Sequence, residues 1–81
     1  MRTEAARLYQ EAQRHGREAA FIANVIFTSM SKPTRKLRGL VNLLAAGREV
    51  RTLQFSLDHL LIDGVLCTWD VLESHARGER Q

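Results

Sequence analysis

Cysteine and proline are scarce in this chain of 81 residues, and each shortage excludes a class of structure. Cys67 is the only cysteine, so an intramolecular disulfide is impossible. One proline and five glycines leave little material for turns, which favours helices. Hydrophobic residues at 44% and charged residues at 26% are typical of a globular protein. We therefore expect a single helical domain over residues 1–81, with a small core of its own.

Long apolar runs are also missing. The longest, residues 19–30, is interrupted by Asn24, Thr28 and Ser29, and a bilayer span takes about 20 apolar residues. The N-terminus lacks the charged and then apolar pattern of a secretory signal. These features predict a cytoplasmic protein without a membrane partner.

The residue patterns of enzymes are not found either. The sequence has no phosphate-binding GxxxxGK[ST] motif, and its three histidines are scattered. Four side chains at roughly one-turn spacing are of types that bind metals, but no second His–Cys pair accompanies them: His59, Asp63, Cys67 and Asp70. We expect no catalytic residues, no cofactor, no metal and no small-molecule substrate.

Charge is distributed unevenly along the chain, whose net charge is +3. Residues 32–51 carry six cations and only one acid, Glu49, whereas residues 52–76 carry four acids and no Lys or Arg. The middle of the chain is therefore basic and the part after it acidic. This asymmetry indicates an anionic partner for the middle. The alternative is that the cations only keep an exposed turn soluble.

The basic part opens with Ser31-Lys-Pro-Thr-Arg-Lys-Leu-Arg38. Proline suits the first position of a helix and glycine the position after its end, so Pro33 and Gly47 predict a helix over residues 33–46. Cations at a helix N-terminus cost about 0.3–1 kcal/mol each but make the surface attractive to anions. Nucleic-acid contacts are therefore expected at the cations of residues 32–51: Lys32, Arg35, Lys36, Arg38, Arg48 and Arg51.

The same region resembles a helix-turn-helix in Ile22-Ala23, Ser31-Lys-Pro-Thr34, Leu37 and Leu40. It departs from that motif because the turn has no glycine and the helix before it is much longer. The resemblance implies that Arg35, Lys36 and Arg38 contact phosphates or bases.

A long helix is predicted on each side of this short one. Residues 3–30 keep an apolar stripe over about 42 Å, with Gly16 allowing a kink near its middle. Residues 50–76 also follow the helical period. Asp63-Gly64 favours a hairpin turn instead, but its flanks do not alternate cleanly, so a continuous helix is the preferred interpretation. Residues 50–57 are either helical or extended.

The predicted fold is all-α, with three helices over residues 3–30, 33–46 and 50–76. The third helix is apolar around most of its girth and so needs cover on two sides, which a homodimeric helical bundle supplies. The residues expected in that interface are Phe21, Val25, Phe55, Ile62, Leu66 and Trp69.

Two functions follow, both without enzymatic activity. The first is a small regulatory protein that binds DNA through residues 32–51 as a homodimer. The alternative is a protein-binding regulator, such as an inhibitor or anti-activator, that docks its apolar helix surface on another protein.

Overall fold

A computed structural model describes residues 3–53 and 58–76 of the chain. Its elements, in chain order, are α1 Glu4–Gln13, α2 Arg17–Ser29, α3 Pro33–Ala45, β1 Val50–Thr52, β2 His59–Ile62, β3 Val65–Thr68 and α4 Val71–Ser74. The strands form one antiparallel sheet in the order β1-β2-β3. The fold is therefore α+β, and the prediction of an all-α chain of three helices is wrong, because a sheet and a short helix replace the third helix.

The first predicted helix is also wrong, since the chain breaks at Gly16 into α1 and α2. Thr3 caps α1 by accepting a hydrogen bond from the backbone N–H of Ala6 at 3.1 Å. Gly16 has φ +117°, a conformation that residues with a side chain rarely adopt. The glycine therefore ends one helix and starts the next, and α1 packs against α2.

The short second helix is observed at nearly its predicted position, as α3. It lies at the centre of the molecule, in contact with α1, α2, α4 and β1. Of its thirteen residues, only Arg35 and Ala45 are exposed, and the others are buried or partly buried. Leu37, Leu40, Val41 and Leu43 contribute to the core, which extends from α1 to α4 as one cluster of buried side chains.

The sheet turns at Asp63-Gly64, the dipeptide that favoured a hairpin. Both residues have positive φ, +53° and +83°, as a two-residue type I′ hairpin requires. The strands on either side do not alternate cleanly because β3 lies at the edge of the sheet and keeps three of its four residues exposed. The apolar residues exposed on β3 therefore hide the strand pattern that would have supported the turn dipeptide. Of the residues left open as helical or extended, 50–52 are extended as β1, and 54–57 lie outside the described residues.

Candidate functional site

The six cations predicted to bind nucleic acid do not form one surface. Lys32, Arg35, Lys36 and Arg38 lie at the beginning of α3, whereas Arg48 and Arg51 follow its end. A helix of thirteen residues is roughly 20 Å long. The basic segment of the sequence is therefore divided between the two ends of a central helix.

Lys36 is buried, with 8% of its surface exposed. Its ammonium group donates a hydrogen bond of 2.6 Å to Oε2 of Glu73 and lies 3.6 Å from Oδ1 of Asp70. The hydrogen bond from Lys36, and then its charge, lower the pKa of the Glu73 carboxyl group. The ion pairs of Lys36 therefore join α3 to the beginning of α4, and Lys36 is not one of the exposed cations.

Three of the other cations are paired with acids at the surface. Arg38 pairs with Glu4, Arg48 with Asp63, and Arg51 with Glu49 at 3.6 Å. The Asp63 carboxylate also accepts a hydrogen bond of 3.0 Å from the backbone N–H of Glu49. That bond, followed by the one from Arg48, lowers the pKa of Asp63.

Lys32 and Arg35 are exposed and make no hydrogen bond or ion pair with any residue in 3–53 or 58–76. Lys32 precedes α3 in a left-handed conformation, with φ +53°, and no side chain caps the helix there. The two charges nevertheless help to lower the pKa of Glu73, so both residues lie close to that carboxylate without a direct contact to it.

The two edges of the sheet differ in their protection. On β1, the Glu18 carboxylate of α2 accepts hydrogen bonds from the backbone N–H and the hydroxyl of Thr52, at 2.7 and 2.8 Å. These bonds lower the pKa of Glu18. An acid side chain thus blocks the β1 edge. On β3, no residue of the described chain hydrogen-bonds to the outer edge, and Val65 and Leu66 are 65% and 54% exposed.

A cleft of about 430 Å³ lies beside this open edge, between β3 and α4. Its apolar side chains and thiol come from both elements and from β2: Ile62, Val65, Cys67 and Val71. Arg48, Asp63 and His75 form its polar lining. We call the exposed strand and this cleft together the β3 surface; it combines an exposed apolar strand edge with an apolar cleft.

The cleft depends on α4, a helix of only four residues that α3 holds in place. At Gly39 the backbone of α4 approaches so closely that an added Cβ would lie 2.7 Å from the carbonyl carbon of Leu72. One turn further along α3, Nδ2 of Asn42 donates hydrogen bonds to the carbonyl oxygens of His75 and Ala76, at 2.9 and 3.2 Å. Sequence reasoning did not single out Gly39 or Asn42, although a glycine inside a helix is a recognised sign of close approach.

The residues predicted to form a dimer interface occupy different environments. Ile62 and Trp69 are buried in the core of the chain itself. Val25 is partly buried against that core, and Phe21 on α2 is 50% exposed. Leu66 lies on the β3 surface, and Phe55 lies outside the described residues. The described residues assigned to this interface therefore do not form one surface, because some belong to the core and the exposed ones lie on α2 and β3.

Within the described ranges, no three His, Cys, Asp or Glu side chains come together in a way that would hold a metal ion. None of the helices found there has the length and hydrophobicity needed to cross a membrane. Comparison with known protein families, curated proteins and solved structures found no match. Function must therefore be argued from the geometry alone.

Proposed function

We propose that this chain is a small non-enzymatic, cytoplasmic regulator that binds another protein through the β3 surface. The observation that carries the proposal is the open edge of β3, with Val65 and Leu66 exposed and no charged residue in the strand. Natural sheets protect their edges with lysine, proline, bulges or a covering element. An unprotected apolar edge marks a site of interaction.

The geometry of α3 favours this function over DNA binding. A recognition helix must lie in the major groove with one face free, but α3 is packed on several sides and exposes only its ends. Lys36 is withdrawn into ion pairs with α4. These contacts leave little of the predicted DNA-binding helix available to a duplex.

An anionic partner is the second candidate, because Lys32 and Arg35 lie exposed at the uncapped beginning of α3 and make no direct ion pair with the described residues. The number of phosphates contacted sets the salt dependence of binding. Two contacts give a slope of about −2 in a plot of log K against log salt concentration, whereas six give about −5. A salt titration with generic duplex DNA therefore measures how much of the basic segment takes part.

The test compares three forms of the protein as baits in extracts of the native host. One variant, Val65→Thr with Leu66→Thr, makes the β3 surface polar; the other, Lys32→Gln with Arg35→Gln, removes the free cations. We expect a bound protein that the first variant loses and the second retains, and its affinity is then measured with purified components. Absence of such a protein, or DNA binding that the second variant loses, would contradict the proposal.

A homodimer also stays a prediction, but its original reason no longer applies. The sequence predicts a dimer that covers a third helix apolar on two sides, but the chain folds Ile62 and Trp69 into its own core. Sedimentation of the purified chain, with a mass of 9.2 kDa per copy, gives the oligomeric state directly.

A further inference from the structure

We infer that α4 opens from α3 as a unit while the rest of the fold stays closed, and that this opening controls the cleft of the β3 surface. Val71 in α4 and His75 directly after it line that cleft together with residues of β2 and β3. The cleft therefore loses one wall when α4 opens. The control of the cleft rests on the proposed function, whereas the opening is a property of the chain alone.

The helix α4 has little stability of its own. It contains four residues, and isolated helices shorter than about 12 residues are marginal in water. No side chain caps its N-terminus, where Asp70 is the residue before the helix. Backbone hydrogen bonds from Leu72, Glu73, His75 and Ala76 each span three residues, as in a 3₁₀ turn, whose hydrogen-bond geometry is poorer than that of an α-helix. The segment therefore depends on α3 for its structure.

One stripe of α3 supplies the polar contacts that hold α4, from positions three residues apart. Lys36 reaches the carboxylates of α4, Gly39 leaves room for its backbone, and Asn42 donates hydrogen bonds to the carbonyl groups after its end. The side chain of Leu72 is fully buried beside them. All these contacts need α4 in the same position, so we expect them to form and break together.

The other helices do not depend on α4 in the same way. The helices α1, α2 and α3 each pack against two or more other elements, whereas the packing of α4 is against α3. Opening exposes the apolar side chains of Leu72 and Ala76, but it returns water to the ions and conformational freedom to the backbone of residues 71–76. Segments with few buried apolar contacts open at a lower free energy than the whole fold. We therefore expect α4 to open without α1 and α2.

Hydrogen exchange of individual backbone amides, followed by NMR in increasing urea below the unfolding transition, tests the opening. The reporters in and beside α4 are its hydrogen-bonded amides: Leu72, Glu73, His75 and Ala76. Urea accelerates exchange in proportion to the surface that the opening exposes. We expect a weak dependence on urea for these four amides and a steep dependence for amides in the middle of α2 and α3, which exchange through unfolding of the whole chain.

Two kinds of variant separate local opening from global unfolding. Ile22 is fully buried on α2, which packs against α1, α3 and β1. Ile22→Val should accelerate exchange in α2 and α3 about two- to tenfold but leave the α4 amides unchanged. Lys36→Gln and Asn42→Ala remove contacts of α4 and should accelerate its exchange about tenfold or more. Arg35→Gln, at the exposed neighbour of Lys36, is the matched control and should leave α4 exchange unchanged.

Equal acceleration of the α4 and α2 amides by urea and by Ile22→Val would mean that α4 unfolds only with the whole chain, and would overturn the inference. So would exchange in α4 that Lys36→Gln and Asn42→Ala leave as slow as in the wild-type chain. If either of these two variants does not fold, the urea dependence of the wild-type chain and the effect of Ile22→Val remain decisive.

A second measurement tests the control of the cleft and separates it from the proposed function. A protein that binds the complete β3 surface binds only the closed form and stabilises it. Exchange of the α4 amides should therefore become slower in the complex with the captured host protein, and unchanged exchange there would contradict control of the cleft by α4. If no host protein is captured, the proposed function fails, and exchange in the free chain still decides whether α4 opens.

Discussion

Gly39→Ala tests the close crossing of α3 with the backbone of α4. At an ordinary helix position, alanine is more favourable than glycine by about 1 kcal/mol. Here the new methyl group would overlap the Leu72 carbonyl group, and overpacking costs about 1–3 kcal/mol or more. The obstacle is backbone, so it cannot rotate away as the end of a side chain can. A backbone obstacle places the cost at the upper end of that range, about 2–3 kcal/mol, so the net loss after the gain of about 1 kcal/mol from alanine is about 1–2 kcal/mol.

The measurement is urea denaturation followed by circular dichroism, together with the melting temperature. For a domain of 81 residues, this loss corresponds to a decrease of about 4–15 °C. Arg35→Gly and Arg35→Ala provide the control, because Arg35 is exposed on the same helix and alanine should there be the more stable by about 1 kcal/mol. The expected sign is opposite at the two positions. If Gly39→Ala stabilises the protein as alanine does at position 35, the close crossing of α3 and α4 is refuted.

Substitution of the two neighbouring cations of α3 should change the melting temperature differently. Arg35→Gln should leave it nearly unchanged, whereas Lys36→Gln should lower it, because only Lys36 is buried and joined to α4. Equal effects of the two substitutions would contradict the buried pair. The fold lowers the pKa values of three carboxyl groups: Glu18, Asp63 and Glu73. Folding thus favours their ionised forms, so their stabilisation is present above the ordinary values of 4.5 and 3.8 and is lost as the pH falls through the lowered values. Melting temperatures measured from pH 7 to pH 3 should fall at the acid end, and Glu18→Gln should make that decrease smaller. Trp69→Ala should lower the free energy of unfolding by about 3–5 kcal/mol. Because the indole is buried within one chain, the fluorescence of the wild-type protein should be blue-shifted and independent of dilution. A red shift on dilution would place the indole in an interface.

Short motifs in the sequence predicted the elements whose ends depend on one or two residues. Pro33 and Gly47 gave α3 to within one residue of its observed end. Asp63-Gly64 indicates the hairpin correctly, whereas the lack of alternation argues against it, because alternation is expected only in strands with one solvent-exposed face and one buried face. Gly16 was interpreted as a weak point in a helix, whereas its positive φ makes it a boundary. Sequence alone does not give a glycine's φ, so the break could not be separated from a kink.

The position of Lys36 could not be predicted from the sequence, because its environment depends on tertiary contacts. At the first turns of a helix a lysine is unfavourable beside the positive end of the dipole, which suggested a function in binding anions. The structure supplies another reason: Glu73 and Asp70, more than thirty residues later, approach the same ammonium group. Counting cations along the sequence therefore overestimates the number available to a ligand, because Lys36 is paired with acidic residues in the fold.

The many apolar residues in the second half of the chain led to the prediction of a long third helix, which is wrong, because these residues form a hairpin and a short helix. A helix buried on two sides and an edge hairpin packed on a core have similar composition, since both place large apolar residues at most positions. The hairpin, however, divides those residues by strand. Leu60 and Ile62 on the central strand β2 are buried, whereas Val65 and Leu66 on the edge strand β3 are exposed. The residues that remain for a partner are thus set by the strand order, because β1 is blocked by Glu18 and β3 is not. That asymmetry between the two edges of one small sheet is the physical reason for proposing β3 as the binding surface.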